Sequence, residues 1–316
     1  MSLTTHQRAS TSTGTRVVKD RSRPMRKTDR REALAGALMV SPSVVLLVLF
    51  FFIPVLLAFL LAFTNARLIS PSISFAGLDN FTRLAQDPLF WKSLRNTLYF
   101  AVVVVPLQSA FALLLALLVN EKVRGTTFFR TLYFVPVVTS IVVVSILWKF
   151  MYQPDGLVNN VLQSLSFNVI QGTDWLNNPS AAMPAIIFMS IWQAVGFHMV
   201  IWLSGLQTIA PELYEAADLD GASRWQKFRF VTWPGLKNTR TFILVTITIA
   251  ALSLFAQINI MTNGGPLDAT TTVVFQAVRV GYQQQQTAYA SAISLVFFIL
   301  VLAVSLFQRY LTREKD

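Results

Sequence analysis

Long apolar stretches alternate with short polar segments along almost the whole chain. Each stretch is long enough to cross the hydrocarbon core of a bilayer, which takes about 20 residues of helix. None of the stretches contains Asp or Glu, and Lys149 is the one basic residue inside them. The pattern predicts an all-α fold, a polytopic membrane bundle of six transmembrane helices. The predicted spans are 33–66, 96–120, 131–152, 183–206, 241–263 and 287–308.

Composition supports a membrane environment. Of the 316 residues, 54% are hydrophobic and 13% are charged, whereas soluble domains carry about 25% charged residues. Cysteine is absent, and the two histidines, His6 and His198, are far apart in the sequence. We therefore predict no disulfide, no metal site and no cofactor on this chain.

Basic residues indicate how the chain is oriented. With six spans, the tail 1–32, the loops 121–130 and 207–240 and the C-terminus share one side, and they hold 20 of the 26 Lys and Arg residues. The positive-inside rule then places both termini in the cytoplasm. This topology accounts for the net charge of +11 without a nucleic-acid partner.

The same pattern divides the chain into three parts. The tail 1–32 is rich in Ser, Thr and Arg and has no apolar period, which is typical of a disordered segment. A membrane domain follows over 33–311, and a short cytoplasmic tail over 312–316 ends the chain. Membrane lipid is an expected partner.

Known catalytic patterns are absent from the sequence. There is no HExxH, no GxSxG, no acidic pair in a span and no GxxxxGK[ST] phosphate loop. We therefore predict that the chain is not an enzyme, and that energy for uphill transport comes from another chain. The lack of carboxylates in the spans disfavours ion coupling. Sodium sites built from carbonyl groups are still compatible with the sequence, so an ion-coupled secondary transporter acting without an ATPase is the alternative.

The loop 207–240 carries the most specific pattern. Pro211 suits a first helical position, so a short helix is predicted over 211–220, with Gly221 as its left-handed cap. Ser223 and Gln226 then form a capping box that begins a second short helix.

The side chains of these two helices suggest a docking surface. Ala216 and Ala217 allow a partner to approach closely, and Glu215 and Asp218 offer negative charge to basic groups on that partner. We expect Pro234 to end the second helix. Trp225 and Phe228 are expected to anchor it under the bundle.

This segment resembles the EAA loop of permeases in binding-protein-dependent ABC importers. The family pattern is E-A-A, three residues, G, nine residues and I-x-L-P. Glu215-Ala216-Ala217, Gly221 and Pro234 match it with that spacing, while Val231 and Trp233 replace the Ile and Leu. Further similarity to carbohydrate permeases lies in Phe75-Ala-Gly-Leu-Asp-Asn-Phe, Phe90-Trp, Asn96-Thr97 and Thr262-Asn-Gly-Gly-Pro266.

The resemblance implies a complete transport system in a prokaryotic inner or plasma membrane. Thr262-Asn-Gly-Gly-Pro266 is similar to the first permease of maltose and glycerol-3-phosphate systems. Such a subunit pairs with a second, different permease. Two ABC ATPase subunits, which carry the ATP and Mg, dock at the loop, and an extracytoplasmic binding protein delivers the solute. The solute implied is a carbohydrate or a related polyol.

Polar residues on the helices that flank the loop are candidates for the solute pathway, since the resemblance implies a site at mid-membrane there. Ser190, Gln193 and Phe197 share one helical face, and Ser253 and Gln257 are four residues apart. Polar residues in membrane helices also hydrogen-bond neighbouring helices, which is the alternative for all five. We expect that structural role for His198, and an interfacial position for Trp148 and Lys149.

Overall fold

The structure, a computed structural model, describes residues 27–69, 72–120, 126–167 and 172–312. These residues are largely helical and form no β-sheet; one isolated antiparallel bridge joins Thr64 to Phe75. The predicted all-α membrane fold is confirmed. The helices are α1 (Lys27–Leu47), α2 (Ile53–Leu61), α3 (Asp79–Gln86), α4 (Pro88–Asn120), α5 (Thr126–Val138), α6 (Ile141–Met151), α7 (Leu157–Leu165), α8 (Ala182–Leu206), α9 (Pro211–Leu219), α10 (Arg224–Lys227), α11 (Trp233–Gly235), α12 (Lys237–Leu252), α13 (Ala256–Met261), α14 (Val273–Val278) and α15 (Thr287–Thr312), with π-helical turns at Val48–Phe52, Phe228–Thr232 and Arg279–Gln283.

The described chain divides into two units between Val55 and Leu56. In the first unit, every side chain in 34–54 is exposed. The α1 helix begins at Lys27, so the last six residues of the tail predicted as disordered are helical. Residues 1–26 of that tail, and 313–316 at the other end, lie outside the described residues.

Five helical segments are long and apolar enough to span a membrane, within the residues described. They correspond to the first, second, fourth, fifth and sixth predicted spans. These segments are Leu34–Leu61, Pro88–Asn120, Ala182–Leu206, Lys237–Met261 and Thr287–Gln308.

The third predicted span is not one straight helix. The α5 and α6 helices meet at 97° across residues 139–140, and together they are long and apolar enough to form a sixth, bent span. Pro136 lies near the end of α5, and a proline removes one helical hydrogen bond. The carbonyl oxygen of Pro136 lies in the last turn of α5, where carbonyls lack a helical partner, and it accepts a hydrogen bond from Nε2 of Gln193 at 3.4 Å. A side chain from α8 thus satisfies backbone that the bend sets free, as non-helical backbone at membrane depth requires.

The fifth span is also broken, at residues 253–255 between α12 and α13. Here the carbonyl oxygen of Leu254 accepts a hydrogen bond from the hydroxyl group of Thr272 at 2.7 Å. Both breaks are therefore held by a polar side chain that comes from a distant part of the sequence.

The core of the second unit lies between α4, α8 and α12, where Phe100, Trp202 and Ile247 are almost fully buried. Small residues allow the helix backbones to approach closely. At Gly196, an added Cβ would lie 1.9 Å from the carbonyl oxygen of Tyr133 on α5. The α5 and α8 helices therefore cross at a point that only glycine fits.

Candidate functional site

The first short helix of the 207–240 loop forms as the sequence predicts. The α9 helix begins at Pro211, with Glu212 in its first turn, and ends at Leu219. Glu215 and Ala216 are exposed, and Ala217 is half-buried. Glu215 has no ion-pair partner within the described residues. Glu215 and Ala216 therefore form an exposed surface that combines a negative charge with a small side chain.

Gly221 bends the chain after α9 in the predicted left-handed conformation, with φ at +71°. The N–H of Ala222 donates to the carbonyl of Ala217 at 2.9 Å, and the N–H of Gly221 donates to Asp218 at 3.1 Å. This is the Schellman pair of hydrogen bonds that ends a helix. A Cβ at Gly221 would have no atom within 4 Å, so the requirement for glycine comes from the backbone conformation and not from crowding.

The second helix begins at the predicted capping box. Ser223 Oγ accepts from the N–H of Gln226 at 3.3 Å, and Gln226 Oε1 accepts from the N–H of Ser223 at 2.7 Å. We call α9, the Gly221 bend and α10 the α9–α10 hairpin.

The sequence predicts that the Asp218 carboxylate is free for a partner protein, but in the structure it is paired within the chain. Its carboxylate pairs with Nζ of Lys227 at 2.6 Å, which joins α9 to α10 across the bend. Of the two acidic residues predicted for docking, Glu215 is the one whose charge is left available.

The second helical segment ends close to the predicted position. The π-helix Phe228–Thr232 leads directly into α11, which ends at Gly235, one residue past Pro234. The wider π turn accommodates a residue that has no N–H to donate. Trp225 is 70% exposed and stacks on Phe228 with the ring centroids 5.6 Å apart. It therefore does not anchor α10 under the bundle of this chain.

Three contacts hold the hairpin and the segments that flank it against the bundle. Tyr214 Oη lies 3.0 Å from Thr232 Oγ1 and joins α9 to the π-helix. Gly235 packs on Ile209, where an added Cβ would lie 2.9 Å from the Ile209 side chain. At Gly205 on α8, an added Cβ would lie 2.3 Å from the hydroxyl of Thr239 on α12. These contacts link α9, through the segments on either side of the hairpin, to α8 and α12.

The candidate pathway residues on α8 have different surroundings. Ser190 is 7% exposed, and its hydroxyl has no hydrogen-bond partner in the part of the chain described. Gln193 is engaged by the Pro136 carbonyl. Phe197 is 46% exposed and meets the ring of His198 edge-on at 5.2 Å. Ser190 is thus a buried polar group of this face whose hydroxyl is not satisfied within the described residues.

Ser253 and Gln257 do not share a helical face, because the break at 253–255 separates them. The sequence-based spacing argument is wrong for this pair. Ser253 instead lines a cavity of about 500 Å³ between α14 and α15, whose wall also includes Ser291 and Ser294. None of the three α8 candidates contributes to that wall. In this conformation the structure does not bring the five candidates together.

Other polar residues of the spans link helices. Nε2 of Gln108 lies 2.9 Å from Nδ1 of His198, within hydrogen-bond distance, which agrees with the structural role expected for His198. Lys149 donates to the carbonyl of Ile260 at the end of α13, at 3.0 Å. Asn96 donates to the carbonyls of Asp268 and Thr271. Sequence reasoning did not single out Gln108, although a lone amide in an apolar span is a signal for such a link.

Comparison with known proteins decides the family. Residues 108–315 match the family described as the binding-protein-dependent transport system inner membrane component. The chain belongs to this family. The matched region is more than half of the chain and contains the whole α9–α10 hairpin. This permease is therefore a multi-pass protein of the prokaryotic cell membrane, and the resemblance drawn from the loop pattern is confirmed.

Several curated relatives of the permease are named as carbohydrate permeases. The lactose transport system permease protein LacF of Rhizobium radiobacter is 36% identical over 284 residues, which cover 89% of this chain and 94% of LacF. The trehalose/maltose transport system permease protein MalF of Thermococcus litoralis is 33% identical over 281 residues, with coverage of 89% and 94%.

A solved structure shares the fold of the permease over most of its length. It is that of a bacterial ABC transporter involved in the import of the acidic polysaccharide alginate. The TM-score is 0.79 at 27% identity, over 91% of this chain and 97% of that chain. A second structure of the alginate transporter, in complex with its alginate pentasaccharide-bound periplasmic protein, aligns with the same TM-score.

Proposed function

We propose that this chain is the transmembrane permease subunit of an ATP-binding-cassette importer that moves a carbohydrate or related polyol into the cytoplasm. Its energy comes from separate ATPase subunits, which carry the ATP and Mg. The observation that carries the proposal is the α9–α10 hairpin, a rigid, exposed element whose pattern matches the docking loop of the family.

The hairpin has the geometry of a docking element. Ala216 lets a partner surface approach α9 closely, and Glu215 offers an unpaired carboxylate to a basic group on that surface. The contacts of Tyr214, Gly235 and Gly205 then carry the motion to α8 and α12. The α8 helix bears Ser190, and α12 ends at the break beside Ser253. Movement of the ATPase is thereby coupled to the membrane segments that hold the candidate solute residues.

The other partners and the orientation belong to the same proposal. A second, different permease completes the channel, and an extracytoplasmic solute-binding protein delivers solute from the side opposite the hairpin. Both termini and the hairpin lie in the cytoplasm, in line with the distribution of Lys and Arg. The names of the carbohydrate relatives and the complex of the alginate transporter with its periplasmic protein support this arrangement.

The test is the Gly221→Asp variant in the assembled transporter. A non-glycine residue held in the left-handed region costs roughly 1–3 kcal/mol, so the bend is lost and the ATPase subunit no longer co-purifies with the permease. Gly77 is a matched control, because its φ is +56° in a different loop. Gly77→Asp carries the same kind of backbone strain and should retain the ATPase. Normal solute uptake by Gly221→Asp would argue against the proposal.

Reconstitution separates this function from the alternative. The permease alone in proteoliposomes should not accumulate solute under a proton or sodium gradient. Accumulation by the isolated chain would identify an ion-coupled secondary transporter instead.

A further inference from the structure

A basic cleft lies at the start of α4, where that helix meets the first turn of α8 and the loop before α14. The cleft has a volume of about 590 Å³, and its wall includes Lys92, Arg95, Asn96, Ser180 and Leu267. None of its lining residues is acidic. The cleft is therefore positive, and the positive end of the α8 helix dipole adds to this charge.

The two cations of the cleft differ in how they are held. Nζ of Lys92 donates to the carbonyl oxygen of Leu267, which fixes the ammonium group at the edge of the cleft. Arg95 is exposed, and no hydrogen bond or ion pair is found for it among the described residues. The nearby Asp268 carboxylate is engaged by Arg279 at 3.4 Å and by the Thr271 hydroxyl at 3.2 Å. Arg95 is thus left without a counter-charge, and a guanidinium group suits a phosphate.

An apolar trough continues from this cleft along α4 and α8. The two cavities share Tyr99 and Pro184 in their walls, so the trough starts where the cleft ends. The trough has a volume of about 410 Å³ and is lined almost entirely by apolar side chains, among them Leu107, Phe111 and Ile191. From Tyr99 to Phe111 the helix rises by about 18 Å, slightly more than the hydrocarbon depth of about 15 Å in one leaflet.

The trough lies on a different side of α8 from the candidate solute face. At 100° per residue, Ile187, Ile191 and Val195 lie about 130° around the helix from Ser190, Gln193 and Phe197. A polar solute that follows the Ser190 face does not enter the trough. The cleft and the trough together match the shape and charge of an amphiphile with an anionic head and an apolar tail of leaflet length.

We propose that the cleft and trough bind one anionic phospholipid, with its phosphate at Lys92 and Arg95 and an acyl chain between α4 and α8. Tyr99 lies at the junction, the depth at which aromatic side chains meet lipid headgroups. In the proposed orientation this lipid belongs to the outer leaflet. The site is independent of the solute pathway.

Lipid retention by the purified transporter complex tests this proposal. The complex is stripped of lipid in detergent, incubated with equal amounts of phosphatidylglycerol and phosphatidylcholine, and analysed by native mass spectrometry. We expect one phosphatidylglycerol per permease chain to be retained with a preference on the order of tenfold, the effect of two cations near a phosphate. The Lys92→Gln/Arg95→Gln variant should lose this preference. Arg95→Lys, which keeps the charge, should retain most of it.

Two further variants test the headgroup site and the acyl-chain site separately. Arg67→Gln removes an exposed cation that lies outside the cleft wall, and it should leave the preference unchanged. Leu107→Trp fills the trough and should reduce retention of both lipids.

Three results would overturn the proposal. The first is an equal preference in wild type and Lys92→Gln/Arg95→Gln. The second is displacement of the retained lipid by millimolar inorganic phosphate, which would indicate a site for free phosphate. The third is capture of the second permease by a photo-crosslinker at Leu107, which would show that protein covers the trough.

Discussion

The phenolic oxygen of Tyr214 on α9 lies 3.0 Å from the hydroxyl oxygen of Thr232 in the π-helix that follows α10. This hydrogen bond joins α9 to the π-helix at a half-buried position, close to the buried Leu236 that precedes α12. It is a direct polar link between α9 and the segment that leads into α12.

Tyr214→Phe should weaken coupling without loss of docking. A hydrogen bond of this kind contributes about 1 kcal/mol, so we expect more ATP to be hydrolysed per solute transported while the ATPase subunit still co-purifies. The measurement is the ratio of ATPase rate to uptake rate in proteoliposomes. Tyr310→Phe is the control, because Tyr310 is 75% exposed and has no hydrogen bond within the described residues. An unchanged ratio in Tyr214→Phe would show that the bond does not transmit motion.

Glu215 and Asp218 should behave differently although both are acidic residues of α9. The Asp218 carboxylate is paired with Lys227 inside the chain, and exposed ion pairs contribute about 0.2–1 kcal/mol to stability. Asp218→Asn should therefore have a small effect on the thermal midpoint and on docking. Glu215→Gln should reduce ATPase co-purification more strongly, because its charge has no partner within the described chain. Equal losses in the two variants would contradict this assignment.

Variants of Ser190 and Gln193 distinguish a residue proposed to contact solute from a residue that supports the fold. Ser190→Ala removes a buried hydroxyl that has no partner among the described residues, so the thermal midpoint should not fall. The KM for uptake should rise by roughly two- to tenfold, the effect of one lost hydrogen bond.

Gln193→Leu removes the hydrogen bond to the Pro136 carbonyl and should lower the thermal midpoint. The pair of variants is informative only together, measured by thermal unfolding and by uptake kinetics. An unchanged KM in Ser190→Ala would remove Ser190 from the pathway.

Helix packing requires glycine at position 196, independently of the transport function. Gly196→Ala places a methyl group against the Tyr133 carbonyl and should destabilise the protein by about 1–3 kcal/mol. Gly36→Ala is the matched control, because Gly36 is helical with no atom within 4 Å of the added Cβ. It should be neutral or stabilising by up to about 1 kcal/mol. Thermal unfolding of the two variants in detergent checks this contrast.

The α9–α10 hairpin could be predicted from sequence almost to the residue, because its signals are local. Each signal determines the backbone conformation within a few positions of itself. The signals are Pro211, Gly221 and the capping box formed by Ser223 and Gln226. Five of the six spans follow from hydropathy in the same way. Local signals therefore suffice where the structure depends on neighbours in sequence.

The breaks in the third and fifth spans could not be predicted, because they depend on distant contacts. Gln193 supports the bend at Pro136 from 57 positions away, and Thr272 supports the break at Leu254 from 18. A hydropathy pattern does not contain such contacts. Trp225 was placed wrongly for a related reason, since apolar character indicates that a side chain is covered but not which surface covers it.

Photo-crosslinking from Ala216 in membranes that are importing solute tests the central claim most directly. Leu267, which is 80% exposed in the loop before α14, is the control position on the opposite side in the proposed orientation. We predict that a crosslinker at Ala216 captures the ATPase subunit and that one at Leu267 does not. Capture of the ATPase from Leu267, with none from Ala216, would contradict the proposed docking and orientation.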